Sequence, residues 1–173
     1  MAIEKPEYRV VRSAEGIEIR DYDEYWVAEC HVKSESDLSM ASSVAFRRLF
    51  NYISGENSVN QKIEMTSPVQ QTAAETGWLI SFVVPKDVSL GTIPVPTNSS
   101  IEIRKIPAGK FAALVYSGTW SDDKLGSKGR ELLSAVEKLG LVTEGPLISA
   151  RYNPPFMPAF LRRNEVLVRL KAE

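Results

Sequence analysis

The sequence predicts an α+β fold made of two related ββαββ halves, and three observations predict it. The tetrapeptide Ile17-Glu18-Ile19-Arg20 recurs 84 residues later as Ile101-Glu102-Ile103-Arg104, the mark of an internal repeat. In each half a Ser-Asp pair, Ser36-Asp37 or Ser121-Asp122, opens an amphipathic stretch that stops at Gly55 or Gly140; these are helix start and stop signals. Each stretch is then followed by a strand-like run into proline, at Pro68 and at Pro154.

Alternating β-branched and aromatic residues bounded by Gly, Pro and Asn place first-half strands near 8–12, 17–21, 25–33, 60–67 and 78–84. Second-half strands fall near 101–106, 110–117, 147–152 and 164–170, with helices near 37–54 and 122–139. Residues 85–100, with Gly91, Pro94, Pro96 and Asn98, read as the link between the halves. Neither half looks large enough to be comfortable alone, so residues 1–173 are expected to form one domain with repeats at about 8–85 and 100–171. Joined half-sheets of this kind leave a groove where they meet, a common place for a ligand.

Composition narrows the function. The chain has 173 residues, 43% hydrophobic and 25% charged, enough for an ordinary core without staples. Lysine and arginine number 21 against 22 acidic residues, a net charge of −1, so no global positive field favours nucleic acid. Residues 1–10 carry Glu4, Lys5, Glu7 and Arg9 and do not read as a secretory leader. No apolar run reaches the roughly 20 residues of a membrane span. A cytoplasmic protein without membrane insertion is expected.

Cys30 and His31 are the only cysteine and histidine, so neither an intrachain disulfide nor a Cys/His zinc site is available. As neighbours on a strand they point to opposite faces. No G-x-S-x-G elbow and no phosphate-cradling glycine motif occurs. With no catalytic signature, binding is expected ahead of catalysis.

The helices differ in a way that points to a ligand. Leu38, Ala41, Ala45, Leu49, Tyr52 and Ile53 form one stripe of the first helix, suited to face a sheet. Phe46 and Phe50 lie off that stripe, four residues apart, as a second apolar strip. They form either a ligand shelf or a bed for a loop of the same chain. On the second helix Leu125, Leu132, Leu133, Val136 and Leu139 suffice for the core, and Gly126 and Gly129 imply a close approach.

A candidate covering loop is Asn153-Pro154-Pro155-Phe156-Met157-Pro158-Ala159-Phe160, too proline-rich for helix or central strand. It presents Phe156, Met157 and Phe160 on a stiff support, which limits the entropy lost on closing over something flat. Met65 occupies the matching place in the first half, in the core or lining the same groove. Arg47, Arg48, Lys62, Arg151, Arg162 and Arg163 lie near these segments. They form either a solvated rim or partners for the carboxylates of a planar ligand.

These residues carry a resemblance. Lys62-Ile63-Glu64-Met65-Thr66-Ser67-Pro68-Val69 and Tyr152-Asn153-Pro154-Pro155-Phe156 followed by Arg162-Arg163-Asn164-Glu165-Val166, together with Tyr8-Arg9-Val10 and Ile17 to Tyr22, resemble the SOUL haem-binding protein family over nearly the whole chain. The resemblance implies a distorted β-barrel of two pseudo-twofold-related repeats, related to GyrI-like effector-binding domains. It also implies non-covalent binding of haem or another tetrapyrrole in an apolar groove beside the first helix, as carrier, buffer or sensor. The corresponding positions here are Phe46, Leu49, Phe50, Ile53, Met65, Phe156 and Met157, and helix geometry adds Arg47 as a propionate partner. Some relatives carry an iron-associated histidine where this sequence has Asp21. His31 is then the one imidazole left as an axial candidate, with Tyr152 and Met157 able to ligate iron in principle.

Two other readings compete. A GyrI-like small-molecule sensor or hydrolase would use a groove glutamate, Glu165 or Glu64, to orient a ligand or activate water. A protein-interaction module would use the Pro-Phe-Met loop as its anchor.

Overall fold

The computed structural model describes residues 3–173; Met1 and Ala2, the start of the segment read above as no leader, lie outside the described residues. The chain forms β1 (Tyr8–Ala14), β2 (Ile17–Tyr22), β3 (Tyr25–Val32), α1 (Leu38–Ile53), β4 (Val69–Ala73), β5 (Trp78–Val83) and the short α2 (Lys86–Ser89). The order continues with β6 (Ile101–Ile106), β7 (Gly109–Tyr116), α3 (Asp122–Lys138), β8 (Ile148–Arg151), a 3-10 turn at Ala159–Leu161 and β9 (Asn164–Arg169). The α+β class and both long helices are as the repeat predicts.

The chain folds as two compact units whose limits are not those of the sequence repeats. Unit 1 comprises Glu24–Pro107 with the N-terminal residues through Pro6, and unit 2 comprises Glu7–Asp23 with Ala108–Glu173. In unit 1 the strands pair antiparallel in the order β4-β5-β3-β6. In unit 2 the order is β1-β2-β7-β9-β8, again antiparallel. The two I-E-I-R strands are therefore exchanged: β2 of the first repeat pairs with β7, and β6 of the second repeat pairs with β3.

Unit 1 is a sheet with α1 on one face. The α1 residues that bury are Leu38, Ala41, Ala45, Leu49, Tyr52 and Ile53, the stripe expected from helical periodicity. Of these, Ala41, Ala45, Leu49, Tyr52 and Ile53 pack with Ala28, Cys30, Val32, Ile80, Phe82 and Ile101. The Asp37 side chain caps the helix by accepting from Met40 N at 3.1 Å. Gly55 at φ +123 follows the last turn. Tyr52 is buried, which pushes its phenol up to about 12, and its hydroxyl donates to Pro94 O at 2.6 Å.

Unit 2 repeats the plan with α3 on its sheet. Leu132, Ala135 and Val136 join Ile17, Ile19, Leu114, Val166 and Val168 in the core. Gly129 lies at this close approach, where a Cβ would fall 3.0 Å from Leu147 Cδ1. Leu133, expected in the core stripe, is 40% exposed, because the buried face is centred on Gly129, Leu132 and Val136.

One expected strand is displaced. Residues 60–67 form no ladder, and β4 begins after Pro68, at Val69. The segment is instead held singly: Ile63 N donates to Ile53 O at 2.7 Å, Ser67 N to Glu4 O at 3.0 Å, and Thr66 Oγ1 to Val83 O at 2.5 Å. Its alternation of Ile63 and Met65 reflects packing on the α1 core, and proline, lacking an N–H, stands before the strand instead of ending it. Among the described residues no helix is long and apolar enough to cross a membrane.

The turn between β4 and β5 yields a stability prediction. Gly77 has φ +73, and a Cβ there would fall 1.8 Å from Val32 O. Gly77→Ala is expected to cost about 2 kcal/mol or more in urea denaturation, from the left-handed backbone and the clash together. Gly140→Ala, at φ +72 with nothing within 4 Å, should lose only the conformational part.

Candidate functional site

The exposed flank of α1 is aromatic. Phe46 and Phe50 are 43% and 50% exposed, one helical turn apart. Their rings lie 6.2 Å apart at 11°, a near-parallel stacked pair. Phe46 also meets the edge of Phe82 on β5 at 5.2 Å, so the pair rests on the unit 1 core. Leu49 and Ile53 are buried within that core, beneath the flank and not on its surface. Met65 is partly buried and packs against the same cluster. Phe46 and Phe50, expected as either a ligand shelf or a bed for a loop of the same chain, are half exposed.

Arg47 and Arg48 take a different place. With His31, Glu29, Ser100 and Glu102 they line a polar cavity of about 730 Å³ in unit 1, which Phe46 and Phe50 do not line. Arg48 Nη1 donates to Ser100 Oγ at 3.3 Å. His31 Nε2 lies 2.8 Å from Thr76 O; a carbonyl only accepts, so Nε2 carries the proton and Nδ1 is the nitrogen left to act as acceptor or ligand. Arg47 is exposed.

In unit 2 the proline-rich loop is held by the two arginines that follow it. Arg162 donates through Nε to Met157 O at 3.0 Å and through Nη2 to Pro155 O at 2.8 Å. Arg163 N donates to Asn153 Oδ1 at 2.5 Å, and Gly118 N to Ala159 O at 2.9 Å. Phe156 and Phe160 project at 87% and 75% exposure, while Met157 is partly buried.

The most heavily constrained chemistry of unit 2 is a buried ionic cluster. Arg20 on β2 and Glu165 on β9 are both wholly inaccessible, and their side chains meet through two bonds of 2.8 Å. Glu165 also accepts from Arg163 Nη2 at 2.6 Å and Tyr152 Oη at 2.9 Å. Arg20 adds bonds to Glu18 and to Tyr22 Oη, and its guanidinium lies 4.3 Å from the Tyr8 ring. Burial alone would raise the Glu165 carboxyl, but the hydrogen bonds and charges of Arg20 and Arg163 outweigh it and hold the group below its ordinary value. Burial and the Glu165 charge together push the Tyr152 phenol well up.

Several sequence candidates therefore have defined partners. Glu165 pairs with Arg163 as sequence proximity allowed, but its main partner is Arg20, 145 residues away, and no local spacing could show that. The signal was the repeated I-E-I-R itself: its second copy places Arg104 against Glu29 at 2.7 Å. Glu64 is exposed. Asp21 pairs with Arg9 at 3.0 Å. Tyr152 Oη is engaged by Glu165.

The two motif segments thus occupy defined structural places, K-I-E-M-T-S-P-V packed on α1 and Y-N-P-P-F with R-R-N-E-V around the ionic cluster. Residues 3–169 match the sequence profile described as SOUL heme-binding protein. The chain belongs to the SOUL haem-binding protein family. None of the curated proteins matches it. Among solved structures, the C-terminal domain of EcmrR superposes with a TM-score of 0.65 at 11% identity, covering 96% of this chain and 99% of that one. EcmrR in a complex with DNA gives 0.69 at 11% identity, over 91% of this chain and 57% of that one. A hydrolase from Listeria innocua gives 0.57 at 9% identity, over 93% and 94%. At these identities the likeness is one of fold.

The ionic cluster sets a sign for acid stability. Glu165 has a depressed folded pKa, so its contribution is complete above the unfolded carboxylate value and is lost as pH falls through the folded one. Removing one partner leaves the other charge buried with only its secondary partner, Glu18 for Arg20 or Arg163 for Glu165, so Glu165→Gln or Arg20→Met should each cost about 3 kcal/mol at neutral pH. The Glu165→Gln protein, lacking the titrating group, should lose less further stability than wild type between neutral and acid pH, measured by urea denaturation across that range.

Proposed function

We propose that this SOUL-family chain binds haem or a related tetrapyrrole non-covalently, with the macrocycle lying on the Phe46–Phe50 flank of α1, as a carrier, buffer or sensor and not as a catalyst. The observation that carries the reading is the near-parallel pair of half-exposed rings backed by Phe82. A flat macrocycle covers both rings at once and costs the protein little ordering, because the pair is already set on a helix packed into the core. Leu49 and Ile53 support the shelf from beneath, and Met65 steadies the same core. Arg47, exposed on the next position round the helix, is the proposed partner for a propionate.

The non-catalytic part is supported by the state of the carboxylates. A general base for water needs a carboxyl tuned upward toward neutral pH, whereas Glu165 is held low and saturated by Arg20, Arg163 and Tyr152. Glu64 is exposed. The axial part is supported by Asp21 being paired with Arg9 and by His31 lining the polar cavity that Phe46 and Phe50 do not line, so binding is attributed to contact with the macrocycle more than to an iron bond.

Haemin titration followed in the Soret band tests this. Wild type is expected to saturate near one equivalent, and iron-free protoporphyrin to bind within a few-fold of haemin. Each half-exposed Phe offers about 1 kcal/mol of further burial, so Phe46→Ala/Phe50→Ala should weaken binding by at least about tenfold, while His31→Ala leaves the spectrum unchanged. Phe156→Ala tests the unit 2 loop separately. A non-saturating change in wild type, or an unaltered titration in the double variant, overturns the reading.

A further inference from the structure

Unit 2 carries a second charged arrangement on the other face of its sheet. Asn164 and Glu165 are consecutive on β9, so their side chains leave opposite faces; Glu165 meets Arg20, and Asn164 meets Trp120. Asn164 Oδ1 accepts from Trp120 Nε1 at 2.7 Å, and its Nδ2 donates to Gly118 O at 3.1 Å. The indole is thereby fixed. Arg151, opposite Asn164 in the β8–β9 ladder, brings its guanidinium to 4.5 Å from the Trp120 ring, and Arg162 brings its own to 4.2 Å.

Two cations thus share one indole, and neither forms an ion pair among the described residues. Arg162 spends two donors on the carbonyls of Met157 and Pro155. The Arg151 side chain makes no hydrogen bond among the described residues, although it is partly buried. Its pKa is lowered, chiefly by burial and further by Arg162, with Tyr116 and the exposed Asp122 opposing. Lys124, 5.9 Å from the Tyr116 ring, adds another positive charge. A guanidinium with five donors, drawn out of water beside a second cation, lowers stability unless an anion completes it. A cation perturbed by burial and by a neighbouring like charge is a candidate for a binding role.

We propose that Arg151 and Arg162, held on Trp120, form a subsite for the oxyanion of a small ligand, a carboxylate or a phosphate group. Arg151 supplies the planar fork that grips two oxygens, and Arg162 supplies neighbouring charge from a guanidinium already fixed by the loop it holds. The subsite stands independently of the tetrapyrrole reading, since it uses none of the residues on α1.

Thermal unfolding and calorimetric titration of the full chain with inorganic phosphate and, separately, acetate test it, with ionic strength held constant by sodium chloride. Wild type should show a saturable rise in Tm with one or both anions, and the preferred anion identifies the source as a phosphate-bearing or a carboxylate ligand. Arg151→Met should abolish that rise, while Arg130→Met, the same charge change at an exposed position of α3, should keep it. Arg151→Lys retains charge without the fork and should weaken binding by about tenfold or more. No rise in wild type beyond the chloride control, or a rise that survives in Arg151→Met and Arg151→Lys, overturns the proposal.

Discussion

The Arg20–Glu165 pair is the constraint on which unit 2 depends. Both charges are wholly removed from water, a state tolerated only because each is matched by the other and by further hydrogen bonds. Arg163, Tyr152, Tyr22, Glu18 and the Tyr8 ring surround the pair, so residues from β1, β2 and β9 and from the segment after β8 are fixed by one cluster. Hydrophobic residues of similar shape would hold these strands with less risk; the ionic version adds specificity, because a slipped register would strand a charge.

The cluster also explains why the compact units differ from the sequence repeats. Each I-E-I-R strand leaves its own repeat and pairs with the strand after the other copy, β2 with β7 and β6 with β3. In each case the repeated arginine binds a glutamate of its host unit, Arg20 with Glu165 and Arg104 with Glu29. The two outcomes differ in environment: Arg104 stays half exposed while Arg20 is sealed. A duplicated motif has diverged into a surface pair in one unit and a structural centre in the other. Pairing across such sequence separations makes the fold rich in non-local contacts, a feature that slows folding.

Function follows from what this scaffold leaves over. The stripe of α1 that faces the sheet is satisfied by Ala28, Cys30, Ile80 and their neighbours, so Phe46 and Phe50 are surplus to folding and remain half exposed. Glu165, the carboxylate that a hydrolytic reading would favour, is consumed by the fold. The proline-rich loop is rigid because Arg162 holds its carbonyls, and the same guanidinium shares Trp120 with Arg151. The proposed ligand contacts draw on aromatic surplus in unit 1 and cationic surplus in unit 2.

Periodicity determined the elements and most of the core. The α1 stripe, the Asp37 and Ser121 caps and the glycines beyond each helix follow from local backbone chemistry, and local rules of that kind are written in neighbouring residues. The surplus of Phe46 and Phe50 was legible for the same reason, as was family membership from the two long motifs. Pairings between distant residues were not. Nothing near Glu165 announces Arg20, nothing near β2 announces β7, and the extended segment before Pro68 has the alternation of a strand without a partner to pair with. Leu133 reads as core by spacing alone, yet the sheet's position against Gly129 leaves it exposed. Local sequence sets which face of an element is apolar; only tertiary packing decides which neighbour covers it, and which charge is sealed beside which.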